Sequence, residues 1–125
     1  MICDTTFLTD LYDEQQSGLA GPAADFLVAH RRTPLLVTVI SLGEAAVIFA
    51  DQNDARRFLS RYRALRLTPE VAYTAALIDR ELMTTGGRLG ENDNWIAAFC
   101  RYYGQPLVSR DRAFDRLRGL RRLPY

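Results

Sequence analysis

The sequence predicts an α/β fold in which helices cover both faces of a mainly parallel sheet of four to five short strands, giving three layers. Short apolar segments alternate with helical segments along the chain, as in layered α/β proteins. The clearest strand, Leu35–Ile40, is apolar at nearly every position, which is typical of a parallel strand covered on both faces. With 125 residues, 48% of them hydrophobic, the chain is expected to form one domain over residues 1–125.

The helices are predicted from apolar residues that recur at three- and four-residue spacing. Pro22 and Pro69 suit the first turn of a helix, and Gly86 and Gly104 suit helix ends. The predicted helices span residues 5–14, 22–31, 41–50, 51–63, 68–85, 92–103 and 112–117, and the remaining strands span 2–3, 65–67, 106–108 and 119–123.

Positive charge is concentrated in the second part of the chain. Residues 1–54 contain eight acids and two arginines, whereas residues 55–125 contain seven acids and fourteen arginines, and there is no lysine. The arginine fork suits phosphate and carboxylate groups, so a polyanionic substrate or an acidic partner is one interpretation. Solvated helix faces in a chain of arginine-biased composition are the other.

The sequence predicts a cytoplasmic protein. No apolar run is long enough to span a bilayer, and Asp4 interrupts the N-terminal segment where a signal peptide would be apolar. Cys3 and Cys100 both have apolar neighbours and lack metal-site spacing, so they are expected to be buried reduced thiols.

Three acidic residues come shortly after a predicted strand. Asp4 follows Ile2-Cys3, Glu44 follows the long apolar strand, and Asp111 follows Leu107-Val108. Because the carboxyl ends of parallel strands lie at one edge of a sheet, these side chains are expected to converge there, where open α/β sheets bind ligands.

A fourth acid, Asp93, shares a helical stripe with Ile96, Ala97 and Cys100, which are expected to face the core. A carboxylate on a core-facing stripe needs a partner, and the stripe has no arginine. A divalent cation is therefore expected, and hard oxygen ligands favour Mg²⁺ or Mn²⁺ over Zn²⁺.

Each acid also has a purely structural interpretation. Asp4 and Asp111 could cap the helices that follow them, Ser41-x-x-Glu44 matches a capping box, and Asp93 would lie in a first turn favoured by the helix dipole. The metal hypothesis depends on the four acids taken together.

The combined pattern resembles PIN-domain ribonucleases over essentially the whole chain, and the VapC toxins of bacterial toxin–antitoxin pairs in particular. One departure is the first strand, which is shorter than most members show. The segments that carry the resemblance are Asp4-Thr5-Thr6 followed by Leu8, Ser41-x-x-Glu44, Asn92-Asp93-x-x-Ile96-Ala97-Ala98 and Ser109-Arg110-Asp111-Arg112-Ala113-Phe114.

The resemblance implies a metal-dependent endoribonuclease that hydrolyses phosphodiester bonds in RNA (tRNA, rRNA or mRNA) and acts as a toxin. One or two Mg²⁺ or Mn²⁺ ions would be held in the site. In this sequence the implied catalytic and metal-binding residues are Asp4, Glu44, Asp93 and Asp111, the supporting hydrogen-bonding residues are Thr6, Asn92 and Ser109, and the first choices for phosphate contacts are Arg110 and Arg112.

The resemblance also implies a homodimer that is inhibited by a VapB-type antitoxin lying over an apolar groove. The residues that could form this groove are Phe7, Leu11, Tyr12, Phe26 and Leu27, with an ordinary core role expected for at least half of them.

Two other functions fit the sequence less well. The first is a catalytically inactive PIN-like binding module, which the presence of all four acids disfavours. The second is an aspartate-based phosphoryl-transfer or receiver domain. The aspartate phosphatases need a second aspartate where this chain has Thr6, and both classes use a lysine that the chain lacks.

Overall fold

The computed structural model describes residues 1–125 and contains one five-stranded sheet with helices on both faces. All neighbouring strands are parallel, in the order β3-β2-β1-β4-β5. The predicted fold class is confirmed. The strands are β1 (Ile2–Cys3), β2 (Leu36–Val37), β3 (Arg63–Ala64), β4 (Leu107–Val108) and β5 (Arg122–Leu123).

Six α-helices and one 3₁₀ helix connect the strands. Pro22 and Pro69 open their helices as predicted, and the helices before Gly86 and Gly104 end at these left-handed glycines. The helices are α1 (Thr5–Ser17), α2 (Pro22–Ala29), α3 (Val39–Ala46), α4 (Gln52–Leu59), α5 (Pro69–Thr85), α6 (Glu91–Tyr103) and the 3₁₀ helix Arg112–Arg116.

The predicted strand Leu35–Ile40 is wrong at its C-terminal end. Thr38 has an extended backbone and caps α3, because its Oγ1 accepts a hydrogen bond from the Ser41 N–H at 2.9 Å. Val39 and Ile40 therefore form the first turn of the helix. Their apolar side chains made them resemble strand residues, although the capping hydroxyl already marks the boundary.

The third strand also lies earlier than predicted, at Arg63–Ala64 instead of 65–67. Its register is set by pairing with Leu36 and Val37. Leu65 comes just beyond the strand, where its N–H still donates to the Val37 carbonyl at 2.8 Å.

The sheet separates two apolar cores because successive strand residues point to opposite faces. Ile2 and Leu107 pack with α5 and α6, whereas Cys3 and Val108 pack with α1 and its neighbours on the other face. This alternation buries the central strands on both sides and fixes which way the residues after them point.

The order of the strands creates a crevice between β1 and β4. From β1 the chain proceeds to β2 and β3 on one side, and it then crosses to β4 and β5 on the other. The carboxyl ends of strands at such a reversal point are the usual ligand site of open α/β sheets. No helix has the length and apolar character needed to cross a membrane.

Candidate metal centre at the carboxyl edge of the sheet

Asp4 occupies the centre of this crevice. It follows β1, is only 4% exposed, and caps α1 by accepting the Thr5 N–H on Oδ1 at 2.7 Å. Its second oxygen, Oδ2, accepts a hydrogen bond from the Ser109 hydroxyl at 2.8 Å. Capping is therefore part of the role of Asp4, and it leaves the carboxylate fixed between β1 and β4.

Ser109 connects Asp4 to Asp111. The Ser109 side chain is fully buried, and its Oγ accepts the Asp111 N–H at 3.0 Å. Asp111 is exposed and caps the 3₁₀ helix through the Ala113 N–H at 2.8 Å. The predicted position of Ser109 beside a carboxylate agrees with this geometry.

Glu44 lies on α3 and makes hydrogen bonds to two other helices. It is not the acidic half of a capping box, because Thr38 caps α3 and Glu44 lies one turn further along the helix. Its carboxylate accepts hydrogen bonds from the Thr5 hydroxyl and from Asn92 Nδ2, the latter at 2.6 Å. Glu44 thus connects α3 to both α1 and α6.

The hydroxyl beside Glu44 belongs to Thr5, whereas Thr6 was the residue expected to orient a carboxylate or a metal-bound water. The Thr6 side chain has no hydrogen bond to any of the acids, and its carbonyl accepts one from Thr9. Because Asp4 is the cap, the next residue is the first of α1 and points along the crevice. The sequence predicted that a threonine after Asp4 supports the site, but it did not show which of the two threonines does so.

Asp93 lies in the first turn of α6, as predicted. The helix begins after Gly90, which provides no side-chain cap, so Asn92 is free to donate to Glu44. A Cβ atom at Gly90 would lie 3.3 Å from Asp93 Oδ2, and the glycine therefore leaves room beside this carboxylate. Further along the stripe, Ile96 and Cys100 are buried.

The four carboxylates influence one another electrostatically. The pKa of Asp93 rises from 3.8 to about 6, first because the carboxyl is desolvated and then because of the charges on Asp4, Asp111 and Glu44. Burial also raises the pKa of Asp4, against the opposing hydrogen bonds from Ser109 and Thr5. Mutual repulsion of this kind requires that the acids converge.

No basic side chain neutralises this cluster. The five ion pairs of the structure involve other acids. Four carboxylates with a net negative charge and hard oxygen donors fit Mg²⁺ or Mn²⁺. However, no group of three His, Cys, Asp or Glu side chains is already arranged to hold a metal ion.

The arginines around the site differ in how they are held. Arg110 pairs with Asp10 at 3.0 Å and is exposed, whereas Arg112 is exposed and has no ion pair. The sequence did not indicate Arg122, whose guanidinium donates to the Ser109 carbonyl at 3.1 Å and to both oxygens of Asp115 at 2.8 Å. Nothing local in the sequence links these positions, because the contact depends on β4–β5 pairing.

Three of the five residues that could have formed a groove on α1 and α2 belong to the core, as expected for at least half of them. Phe7 and Leu11 are fully buried and Phe26 is 9% exposed. Phe7 instead packs edge-on against Phe26 and Tyr125, with ring centroids 5.6 and 5.0 Å apart. These residues are core, so they cannot line an open binding surface.

Comparison with known proteins identifies the fold and its family. Residues 1–120 match the family model of the PIN domain. No curated protein matches the chain in sequence.

Solved structures with the same fold include VapBC2 from Rickettsia felis bound to a DNA fragment from its promoter. Its TM-score is 0.79 at 17% identity, covering 99% of this chain and 97% of that one. DNA-bound VapBC from Salmonella typhimurium has a TM-score of 0.77 at 21% identity, covering 98% and 96%. A toxin–antitoxin complex from Klebsiella pneumoniae has a TM-score of 0.71 at 19% identity, covering 95% and 93%. At these identities the structures establish a shared fold.

Proposed function

The chain belongs to the PIN-domain family, and on that basis we propose that it is a Mg²⁺- or Mn²⁺-dependent endoribonuclease of the VapC type, the toxin of a toxin–antitoxin pair. The observation that carries the proposal is the convergence of four carboxylates, without a basic partner, at the reversal point of a parallel sheet. The four are Asp4, Glu44, Asp93 and Asp111.

These four acids would hold the cation. A bound Mg²⁺ or Mn²⁺ acidifies water into a nucleophile and neutralises charge that develops on a phosphate. The chain supplies the positions of the ligands: Ser109 holds Asp4, and Thr5 and Asn92 hold Glu44. Without a cation the cluster would repel the RNA backbone, so the acids favour a phosphate substrate only once they are neutralised.

The test of catalysis compares wild type with Asp4→Asn and Asp93→Asn on a mixture of structured RNAs, with Mg²⁺, Mn²⁺ or chelator. Both substitutions should lower cleavage by at least about 10²-fold, as removal of a ligand to a catalytic metal does. Glu91→Gln is the matched control, because Glu91 lies in the same first turn as Asp93 but is exposed. Cleavage that survives chelator, or both substitutions, would place the activity elsewhere.

Arg112 is the first choice for a phosphate contact at the rim, because it flanks Asp111 and has no ion pair. Arg110 is already held by Asp10. Arg112→Gln should reduce the dependence of log Kd for RNA on log salt by about 0.7 to 0.9, whereas Arg110→Gln should change it less. Equal slopes in wild type and Arg112→Gln would exclude Arg112 as a backbone contact.

The toxin part of the proposal is supported by the fold shared with VapBC complexes. A groove of about 560 Å³ between α3 and α4 is lined by apolar residues that include Leu42, Ala46 and Leu59. It could receive an apolar antitoxin segment in place of the surface first expected on α1 and α2. Co-expression with the product of a neighbouring short reading frame should relieve growth arrest, and Ala46→Arg should abolish that relief. Homodimerisation remains a prediction from the resemblance, and a cytoplasmic location remains a prediction from the sequence.

A further inference from the structure

Every hydrogen-bonding group of Ser109 has a partner. Its N–H donates to the Leu123 carbonyl at 3.1 Å, and its own carbonyl accepts from Arg122 Nη1 at 3.1 Å. Its hydroxyl donates to Asp4 Oδ2 at 2.8 Å and accepts the Asp111 N–H at 3.0 Å. The Ser109 hydroxyl therefore connects the side chain of Asp4 to the backbone of Asp111.

Two of the partners of Ser109 come from the edge strand β5. Leu123 contributes its backbone, and Arg122 contributes a side chain that is only 13% exposed. The Arg122 guanidinium binds two groups at once. Nε and Nη2 bind both oxygens of Asp115 at 2.8 Å, and Nη1 is left for the Ser109 carbonyl. This geometry needs the planar fork of arginine, which a lysine ammonium cannot reproduce.

We propose that Arg122 and Asp115 form a positioning pair that fixes Ser109, and through it Asp4 and Asp111, for the reaction proposed above. Neither residue hydrogen-bonds to any of the four acids, so neither is a catalytic residue. The inference rests on the proposed function for its kinetic consequence, but its structural consequence can be measured separately.

Asp115 has a second effect in this arrangement. Arg122 is a cation that senses Asp111: its pKa is raised first by the hydrogen bond to Asp115, and further by the charges on Asp115 and Asp111. Asp115 binds Nε and Nη2 along one edge of the guanidinium, so these two donors are not available to Asp111. Without Asp115, the guanidinium could turn to Asp111 and compete with a metal ion for that carboxylate.

The chain offers a matched control for this pair. Arg101 binds both oxygens of Glu81 at 2.9 Å and also donates to a backbone carbonyl, that of Arg118, at 3.4 Å. This second fork lies near the C-terminal end of α6, away from the carboxyl edge of the sheet. Arg122→Gln and Arg101→Gln therefore remove equivalent interactions, and only the first should affect the site.

The kinetic test measures kcat and KM for RNA cleavage in Mn²⁺ for wild type, Arg122→Gln, Arg122→Lys, Asp115→Asn and Arg101→Gln. Arg122→Gln should lower kcat by about tenfold or more with KM within about twofold, because small displacements of reacting groups are costly. Arg122→Lys should not restore wild-type kcat, and Asp115→Asn should lower it in the same direction. Arg101→Gln should leave both constants within about twofold of wild type.

The structural test uses the metal-free protein and follows hydrogen exchange of the Asp111 amide, which is bonded to Ser109 Oγ. Arg122→Gln should accelerate this exchange by about tenfold or more relative to wild type, and Arg101→Gln should not. If the Arg122→Gln protein fails to fold, the same exchange measurement is made on Asp115→Asn and Arg122→Lys.

Three results would overturn the inference: unchanged Asp111 exchange in Arg122→Gln, an equal loss of kcat in Arg101→Gln, or a higher KM at constant kcat. The last result would mean that Arg122 contacts RNA directly. If the wild type cleaves no RNA, the proposed function fails. Accelerated exchange that is confined to the Arg122 and Asp115 variants would still establish the positioning pair.

Discussion

Replacing Asp93 with asparagine is expected to stabilise the metal-free protein at neutral pH while it removes a ligand of the proposed metal site. The reason is the repulsion among the four acids. Desolvation, and then the charges on Asp4, Asp111 and Glu44, raise the Asp93 pKa from 3.8 to about 6. The ionised carboxylate therefore opposes folding, and a neutral side chain of the same size relieves that opposition.

The sign and the size follow from linkage. Between about pH 4 and pH 6 the folded protein binds more protons than the unfolded chain, so stability falls as the pH rises through this window and levels off above it. At 1.36 kcal/mol per pKa unit the shift corresponds to roughly 3 kcal/mol. Solvent screening at this partly exposed carboxyl reduces the expected gain for Asp93→Asn to about 1–2 kcal/mol.

The assay is thermal unfolding in chelator at several pH values, followed by circular dichroism. At about pH 7.5 the variant should melt roughly 3–8 °C above wild type, since 1 kcal/mol shifts the Tm of a chain this size by a few degrees. At about pH 4 the difference should vanish, because Asp93 is then largely protonated in wild type. Added Mn²⁺ should raise the wild-type Tm and should have less effect on the variant.

Glu91→Gln is the control for the loss of negative charge near the N-terminus of α6, which costs about 0.3–1 kcal/mol through the helix dipole. Subtracting its effect isolates the repulsion within the cluster. An Asp93→Asn protein that is no more stable than Glu91→Gln at about pH 7.5, or a gain that is independent of pH, would refute the electrostatic argument. It would also remove the reason to expect a cation among these acids.

Two further predictions concern the rest of the fold. Glu14 accepts hydrogen bonds from the N–H groups of Gly21, Ala23 and Ala24 at 2.7–3.2 Å and so caps α2. Glu14→Gln should therefore lower the free energy of unfolding, measured in urea, by about 1–2 kcal/mol. A loss no larger than that of the exposed control Asp13→Asn would contradict this. Burial raises the pKa of Cys3 to about 12 and also raises the pKa of Cys100. A thiol reagent at about pH 8 should therefore label neither cysteine until the protein is unfolded. Labelling of the native protein would show that one of the two is accessible.

The positions of three of the acids in the fold could be predicted from short-range patterns. Asp4 and Asp111 each follow a short apolar strand, and Asp93 precedes apolar residues at helical spacing. Periodicity and the parallel fold class are enough to bring these acids to one edge of the sheet. The all-parallel sheet follows from the same alternation of strands and helices, although the strands are shorter than predicted.

The predicted end of β2 and the predicted start of α3 were wrong because two residues, Thr38 and Ser41, both fit the N-cap rule. Ser41-x-x-Glu44 has the spacing of a capping box, but Thr38 stands three residues before Ser41 and satisfies the N-cap rule equally well. The apolar Val39 and Ile40 made the strand seem longer and favoured the wrong cap. The choice between the two caps depends on where β2 stops pairing with its neighbours, which the sequence alone does not give.

The contacts that hold the acids in place could not be predicted, because they join residues far apart in sequence. Thr5 and Asn92 meet Glu44 across 39 and 48 positions, and Ser109 meets Asp4 across 105. Each of these donors is an ordinary surface residue type in its local context. The resemblance named Asn92 and Ser109 as supporting residues, but only the strand order determines which acid each of them meets.

The site also explains why a stable fold can contain such a cluster. The four acids are never all in the same environment: Asp4 is buried and hydrogen-bonded, Glu44 and Asp93 are partly buried, and Asp111 is exposed. The most buried member receives two hydrogen bonds that favour its charged form, whereas desolvation and the charges of the other three acids raise the pKa of Asp93 to about 6. Asp93 should therefore be the acid that loses its proton when a cation binds, and because a carboxyl with a pKa of about 6 is half protonated at pH 6, metal binding at that pH should release about half a proton per protein.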